Sequence, residues 1–190
     1  MRVTVKICGI QDIETARAVA ALGADYLGLV LTASRRQVTI PQAKALVAKV
    51  PEAQFVAVGR DVDDALFETM LRLDVIAVQL HGRTPPEWIE RAHQHGKRAI
   101  ATELDAQADI VLLDNVNPGS GEPWAWYKPE FPRPIWLAGG LTPENVRQVV
   151  TTWRPAGVDV SSGVERHGVK DVALVRRFIE EVHDADNTSA

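Results

Sequence analysis

A single cysteine, Cys8, stands in the N-terminal stretch KICGI, two residues after Lys6 and just before a glycine. A lone cysteine is often no more than a small buried hydrophobe. A thiolate near a positive charge can also serve as a general base. Asp114 ends the apolar run IVLLD. A carboxylate there either opens the next loop as an Asx-turn residue or pays its burial cost by working at a site. Together the two would supply a base and an acid to opposite ends of one small substrate. Two glycine-containing segments, Gly139-Gly140 and Ser161-Ser162-Gly163, offer backbone N–H groups of the kind that cradle a phosphate dianion. Thr142 and Pro143 behind the first of them predict a capped helix whose N-terminus adds to that cradle. The same glycines would also make tight turns. Arg36, in TASRRQVT, carries a fork suited to a carboxylate, although a loop arginine is commonly just solvated. His81, in QLHG, is placed to hydrogen-bond a substrate or to close a turn, and no chemistry is assigned to it. His93 and His95 lie two apart on a predicted helix and face different ways, so they do not read as a metal pair. No other grouping has metal-ligand spacing. Neither a metal nor an organic cofactor is expected.

Such residues act together only if the chain gathers them. Short β-branched runs alternate with amphipathic stretches along the whole sequence. Strands are predicted at 3–7, 26–31, 54–58, 75–79, 98–102, 110–113, 134–137 and 158–160. Helices are predicted from the Asp12 cap to Gly23, then at 41–50, 63–71, 85–94, 143–153 and 172–182. Tyr26–Leu31 (YLGLVL) is apolar throughout, as suits a parallel strand covered on both faces. Only residues 103–108 separate the fifth strand from the sixth, so the fifth helix must be vestigial or missing. A short helix is expected at Trp124–Tyr127. Eight strands select an α/β fold of one kind, a compact (β/α)8 TIM barrel, and no dinucleotide-binding glycine fingerprint follows the first strand. In that fold the working residues sit where strands pass into βα loops. Cys8, Thr32–Arg36, Gly59-Arg60, Gln79–Gly82, Asp114, Ala138–Gly140 and Asp159–Gly163 all fall there, while the strand interiors stay apolar.

With 190 residues, 46% hydrophobic and 24% charged, the chain fits one soluble domain. The expected division is a barrel over 1–183 and a flexible polar tail over 184–190. A formal net charge of −4 argues against a nucleic-acid partner. No run approaches a membrane span, and one cysteine permits no intrachain disulfide. An N-terminus that enters a strand at once leaves no room for a signal peptide, so the expected location is cytoplasmic. The expected partner is a small phosphorylated substrate, with the chain a monomer or homodimer.

KICGI at the first strand, VQLHG at the fourth, LLD at the sixth, GGLTPENV at the seventh and DVSSGVE…GVKD at the eighth occur in order from Lys6 to Asp171. In these motifs the chain resembles phosphoribosylanthranilate isomerase of tryptophan biosynthesis; KICG and DVSSGVE are the specific ones, GGL and LLD are not. The resemblance implies an Amadori rearrangement of N-(5-phosphoribosyl)anthranilate to its open-chain aminoketose. It implies that Asp114 is the general acid on the furanose oxygen and Cys8 the general base at C2′. It further implies Arg36 on the anthranilate carboxylate, Asp159 beside the anthranilate amine, and Gly139, Gly140, Ser162 and Gly163 around the phosphate. Two loops depart from the family pattern. The second usually carries Pro-Lys-Ser-x-Arg; here residues 32–36 read TASRR, so aligning Ser34 and Arg36 takes a one-residue deletion, and an ungapped alignment puts Gln37 in the arginine's place. The sixth reads PGSGEPWAW, keeping Gly119-Ser120-Gly121. Neither departure touches the acid or the base, so activity is expected to be retained. Related barrels fit less well. A histidine-pathway isomerase would place an aspartate after the first strand, a metal-dependent epimerase needs ligands, and an indole-forming synthase needs lysines in the mouth. A catalytically impaired phosphate-binding barrel with a regulatory or assembly role would lack the acid or the base.

Overall fold

The computed structural model describes residues 2–82, 84–102, 104, 107–114 and 131–188. Eight parallel strands close into a barrel in sequence order: β1 (Thr4–Cys8), β2 (Tyr26–Val30), β3 (Phe55–Arg60), β4 (Ala77–His81), β5 (Arg98–Ala101), β6 (Ile110–Asp114), β7 (Ile135–Ala138) and β8 (Gly157–Val160). Among the described residues six α-helices pack outside it: α1 (Ile13–Ala21), α2 (Ile40–Lys49), α3 (Asp64–Leu71), α4 (Pro86–Gln94), α5 (Val146–Trp153) and α6 (Val172–Thr188). Local chemistry starts the early helices. Asp12 accepts from Thr15 N, Asp63 accepts from Leu66 N, and Thr39 with Gln42 closes a reciprocal capping box. Between β5 and β6 the described residues hold no helix, as the short spacing required. The expected helix at Trp124–Tyr127 and the Gly119-Ser120-Gly121 stretch lie outside the described residues.

Strand periodicity divides the apolar side chains into two sets. One set, including Ile7, Leu27, Leu29, Ala57, Val78 and Leu137, faces outward and packs under the helices. The other, including Tyr26, Val56, Ile100, Ile110, Leu112 and Trp136, fills the barrel. Tyr26 and Trp136 meet at 5.3 Å between ring centroids, and Arg98 donates to the Tyr26 hydroxyl at 2.8 Å. These large side chains fill the barrel interior below the strand ends.

Two boundaries differ from expectation by more than two residues. The seventh helix signal does not begin at Pro143. Residues 143–145 form a turn, and α5 starts at Val146. Asn145 is the reason: its Oδ1 accepts from Thr142 N at 2.8 Å and its Nδ2 donates to the Gly140 carbonyl at 2.9 Å, which ties the segment back onto the preceding loop. At the other end, α6 runs on to Thr188, so the tail drawn at 184–190 begins inside a helix. Ala185 is buried there and the Asp186 carboxylate accepts from Val3 N at 2.9 Å, and these contacts carry the helix past its predicted stop. Among the described residues no helix is long and apolar enough to cross a membrane.

Candidate active site

Above the aromatic plug the strand ends enclose a cavity of about 370 Å³. Cys8, Arg36, His81, Asp114, Gly139, Gly140, Asp159 and Ser162 all line it. Eight of the nine residues singled out in the sequence therefore line one cavity. Gly163 is the exception, and the reason is packing. A Cβ at Gly163 would sit 1.7 Å from the Leu141 carbonyl oxygen, so this glycine lets the eighth loop cross the seventh at close range. Its neighbour Ser162 faces the cavity instead. Gly139 and Gly140 hold successive left-handed conformations, φ +81° and +71°, and so turn the chain back over the opening.

Cys8 ends β1 and is buried. It shares the inward face of that strand with Lys6, two residues earlier. Lys6 is completely buried, and its ammonium donates to Asp159 Oδ2 on the neighbouring β8 at 2.9 Å. Gly28 on β2 makes room for both groups. A Cβ there would lie 2.8 Å from Cys8 Sγ and 3.2 Å from Lys6 Nζ. Burial pushes the Cys8 thiol above its ordinary range; Lys6 pulls the other way without cancelling it. Burial also raises the Asp159 carboxyl, offset in part by Lys6. Lys6 itself loses solvation but is held charged, its pKa raised, by Asp159 and Cys8. Among the described residues, Asp159 Oδ1 and Gln79 Oε1 are buried acceptors that receive no hydrogen bond. Both residues line the cavity, and such acceptors suit a ligand N–H or O–H.

Asp114, across the mouth from Cys8, is exposed rather than buried. The burial cost expected of a carboxylate at the end of an apolar strand does not arise, because β6 delivers its last residue to the open rim. Arg36, and not Gln37, reaches the cavity. Gln37 donates to the Leu31 carbonyl at 3.2 Å and pairs back onto Val30, which is spent within its own loop. The Arg36 side chain lies across Gly9 and donates to Glu165 through Nε at 2.6 Å and through Nη2 at 2.9 Å.

His81 shares a 2.7 Å hydrogen bond with the Gln79 side chain. Burial, then the nearby charges of Lys6 and Arg60, lower its pKa to about 4. The imidazole is therefore neutral throughout the range where most enzymes work. The unfolded chain takes up a proton at this residue near pH 6.5 and the folded one near 4. Stability linked to His81 is thus fully present above the first value and falls as the pH drops toward the second. An NMR titration of the His81 ring is expected to show a midpoint close to 4. A midpoint at the unperturbed value would mean the ring is wetter and farther from Lys6 than the geometry has it.

Sequence reasoning placed Gln79 among the strand-end residues and noted Lys6 before Cys8 without assigning either a role, and it missed Glu165 and Lys170 altogether. A signal existed for Lys6: a lysine two residues before Cys8, in the middle of an apolar strand, must share the cysteine's face. No comparable local signal marks the others. Among the described residues, no three His, Cys, Asp or Glu side chains gather as they would to hold a metal ion.

The family model for N-(5'phosphoribosyl)anthranilate (PRA) isomerase matches residues 5–181 of this chain. An N-(5'-phosphoribosyl)anthranilate isomerase of Streptococcus mutans is 36% identical over 189 residues, covering 94% of this chain and 97% of that protein. The crystal structure of a phosphoribosyl anthranilate isomerase from Thermus thermophilus superposes with a TM-score of 0.82 at 36% identity, over 97% of this chain and 99% of the other. A third relative, 30% identical with a TM-score of 0.78 over 95% of this chain and 98% of its own, was solved in complex with reduced 1-(o-carboxyphenylamino)-1-deoxyribulose 5-phosphate.

Proposed function

The chain belongs to the N-(5'-phosphoribosyl)anthranilate isomerase family, and we propose that it rearranges N-(5-phosphoribosyl)anthranilate to 1-(2-carboxyphenylamino)-1-deoxyribulose 5-phosphate with Asp114 as acid and Cys8 as base. The observation that carries this assignment is their shared cavity. A thiol and a carboxylate stand on opposite sides of a space about the size of the substrate, with the glycine loops on one flank and Arg36 on another.

Asp114 protonates the furanose ring oxygen, the C1′–O bond breaks, and the anilino nitrogen's electron pair forms an iminium. That cation acidifies the C2′–H, and the Cys8 thiolate removes the proton to give an enolamine. Tautomerisation yields the ketone. The Lys6 ammonium, beside Cys8 Sγ, favours the thiolate, and Asp159 keeps Lys6 charged in its dry surroundings. The iminium adds a second positive charge at the moment the thiolate is needed. Asp159 Oδ1 accepts from the anilino N–H, Arg36 binds the ring carboxylate, and Gly139, Gly140 and Ser162 hold the phosphate. Gly163 serves the last of these through the loop crossing it permits. The complex of a 30% identical neighbour with a reduced, phosphorylated form of the product supports a small phosphorylated ligand for this chain. No relative supports the impaired-barrel alternative.

The reaction is tested by generating the fluorescent substrate in place from anthranilate and phosphoribosyl pyrophosphate with a transferase. Addition of this protein is expected to abolish the fluorescence far faster than spontaneous decay. Decay at the background rate from a folded protein would remove the assignment and leave the barrel.

A further inference from the structure

Glu165 has no part in the chemistry described above, yet it is the most heavily contacted carboxylate near the cavity. The residue follows a single turn of 3-10 helix (Ser162–Val164) and opens a two-stranded antiparallel hairpin, β9 (Glu165–Arg166) and β10 (Val169–Lys170), in which Lys170 stands directly opposite it. Its side chain is 4% exposed and meets three cations: Arg36 through two bonds, Arg35 at 3.1 Å and Lys170 at 2.5 Å. Lys170, equally buried, also donates to the Ser161 carbonyl. Burial alone would raise the Glu165 carboxyl, but the bonds from Arg36 and Lys170 outweigh it and hold the carboxyl below its usual range.

The geometry of the Arg36 contact is informative. Glu165 takes the side edge of the guanidinium, Nε and Nη2. A guanidinium has five N–H donors, so three remain, including the pair on the end edge formed by Nη1 and Nη2. That edge is the one a second carboxylate grips with two parallel bonds. Charge agrees with shape, because three cations around one carboxylate leave a net positive wall.

Resting on the proposed reaction, we infer that Glu165 is a positioning residue for the substrate's aromatic carboxylate: it clamps Arg36 so that the guanidinium presents its end edge to the cavity, and it ties that arginine to the segment carrying Ser161 and Ser162. The carboxylate and phosphate ends of the site are thereby set at a fixed separation by one buried side chain. This role also accounts for the altered second loop. An arginine displaced by one residue still reaches its place, because the eighth loop and not the second determines where the guanidinium sits.

The test is Glu165→Gln, which keeps the shape and removes the charge and one acceptor for Arg36, compared on two substrates. On N-(5-phosphoribosyl)anthranilate, kcat/KM is expected to fall about tenfold or more, the size of one charge-assisted hydrogen bond, chiefly through KM. On N-(5-phosphoribosyl)aniline, which lacks the carboxylate, wild type and variant are expected to agree within about threefold. In the background of Arg36→Ala, the Glu165→Gln change is expected to add little on either substrate. Equal losses on both substrates, or full additivity with Arg36→Ala, would overturn the inference. Should Glu165→Gln fold poorly, Glu165→Asp retains the charge for Lys170 but withdraws the carboxylate from Arg36, and the same two-substrate contrast applies. A wild type inactive on both substrates would instead bring down the proposed reaction.

Discussion

Cys8→Ser is expected to lower kcat by about two to four orders of magnitude, with KM within a few-fold of wild type, because a positioned general base contributes on that scale. A serine hydroxyl fits where the thiol sits but is a far weaker acid, so Lys6 cannot hold it as an anion. Asp114→Asn is expected to lose a comparable factor for the opposite reason, since an amide has no proton to give the ring oxygen. The two variants are separable by isotope. Deuterium at C2′ should slow Cys8→Ser, where proton abstraction limits the rate, and leave Asp114→Asn unaffected, where ring opening limits it. Cys8 is buried but isosteric with serine, and that variant should fold; urea unfolding of both variants separates lost turnover from lost structure. Turnover near the wild-type rate in either variant would strip that residue of its assigned role. An isotope effect in Asp114→Asn alone would exchange the two roles.

Lys6→Met should cost about 3–5 kcal/mol of stability, the range seen when one partner of a buried ion pair is removed. Lys6 is completely buried and its bond to Asp159 is 2.9 Å, so methionine leaves a carboxylate with no counter-charge inside the barrel. That carboxylate must then bind a proton or admit water. Urea unfolding measures the loss, and the double variant Lys6→Met/Asp159→Asn is expected to recover much of it, because the uncompensated charge is gone. Recovery of stability without recovery of turnover would separate the two duties of the pair. One is to keep the barrel interior free of an uncompensated charge; the other, in the proposed mechanism, is to offset with the Lys6 ammonium part of the burial that disfavours the Cys8 thiolate. A loss below about 1 kcal/mol in the single variant would mean that the pair is solvated and that the dry surroundings assigned to Cys8 are wrong.

Much of this site could be read along the chain because barrel architecture converts sequence position into spatial position. Each strand end delivers its next residues to one face, so Cys8, Asp114, Gly139-Gly140 and Ser162 converge once eight strands have been counted. The caps at Asp12, Thr39 and Asp63 were equally legible, being bonds between residues three apart. Periods of two and of three to four residues are local properties, and hydrophobic burial makes them fold-determining.

What could not be read there depends on contacts between residues far apart in the chain. Asn145 delays α5 by bonding to the loop before it, and Asp186 prolongs α6 by reaching the first strand. The close crossing that makes Gly163 necessary, with the Leu141 carbonyl where its Cβ would be, is likewise a contact between two separate loops. Asp114 looked buried because its strand is apolar, but exposure depends on how far a strand rises above its neighbours. An alignment does not decide between Arg36 and Gln37; in the structure Arg36 faces the cavity, bonded to Glu165 129 residues away, while Gln37 turns back onto its own loop. The order of strands, the convergence of acid, base and glycine loops, and hence the class of reaction follow from patterns that each short segment carries alone. The electrostatic surroundings of Cys8 and the seat of Arg36 follow from Lys6–Asp159 and Arg36–Glu165–Lys170, contacts that exist only once the barrel has closed and water has been excluded around them.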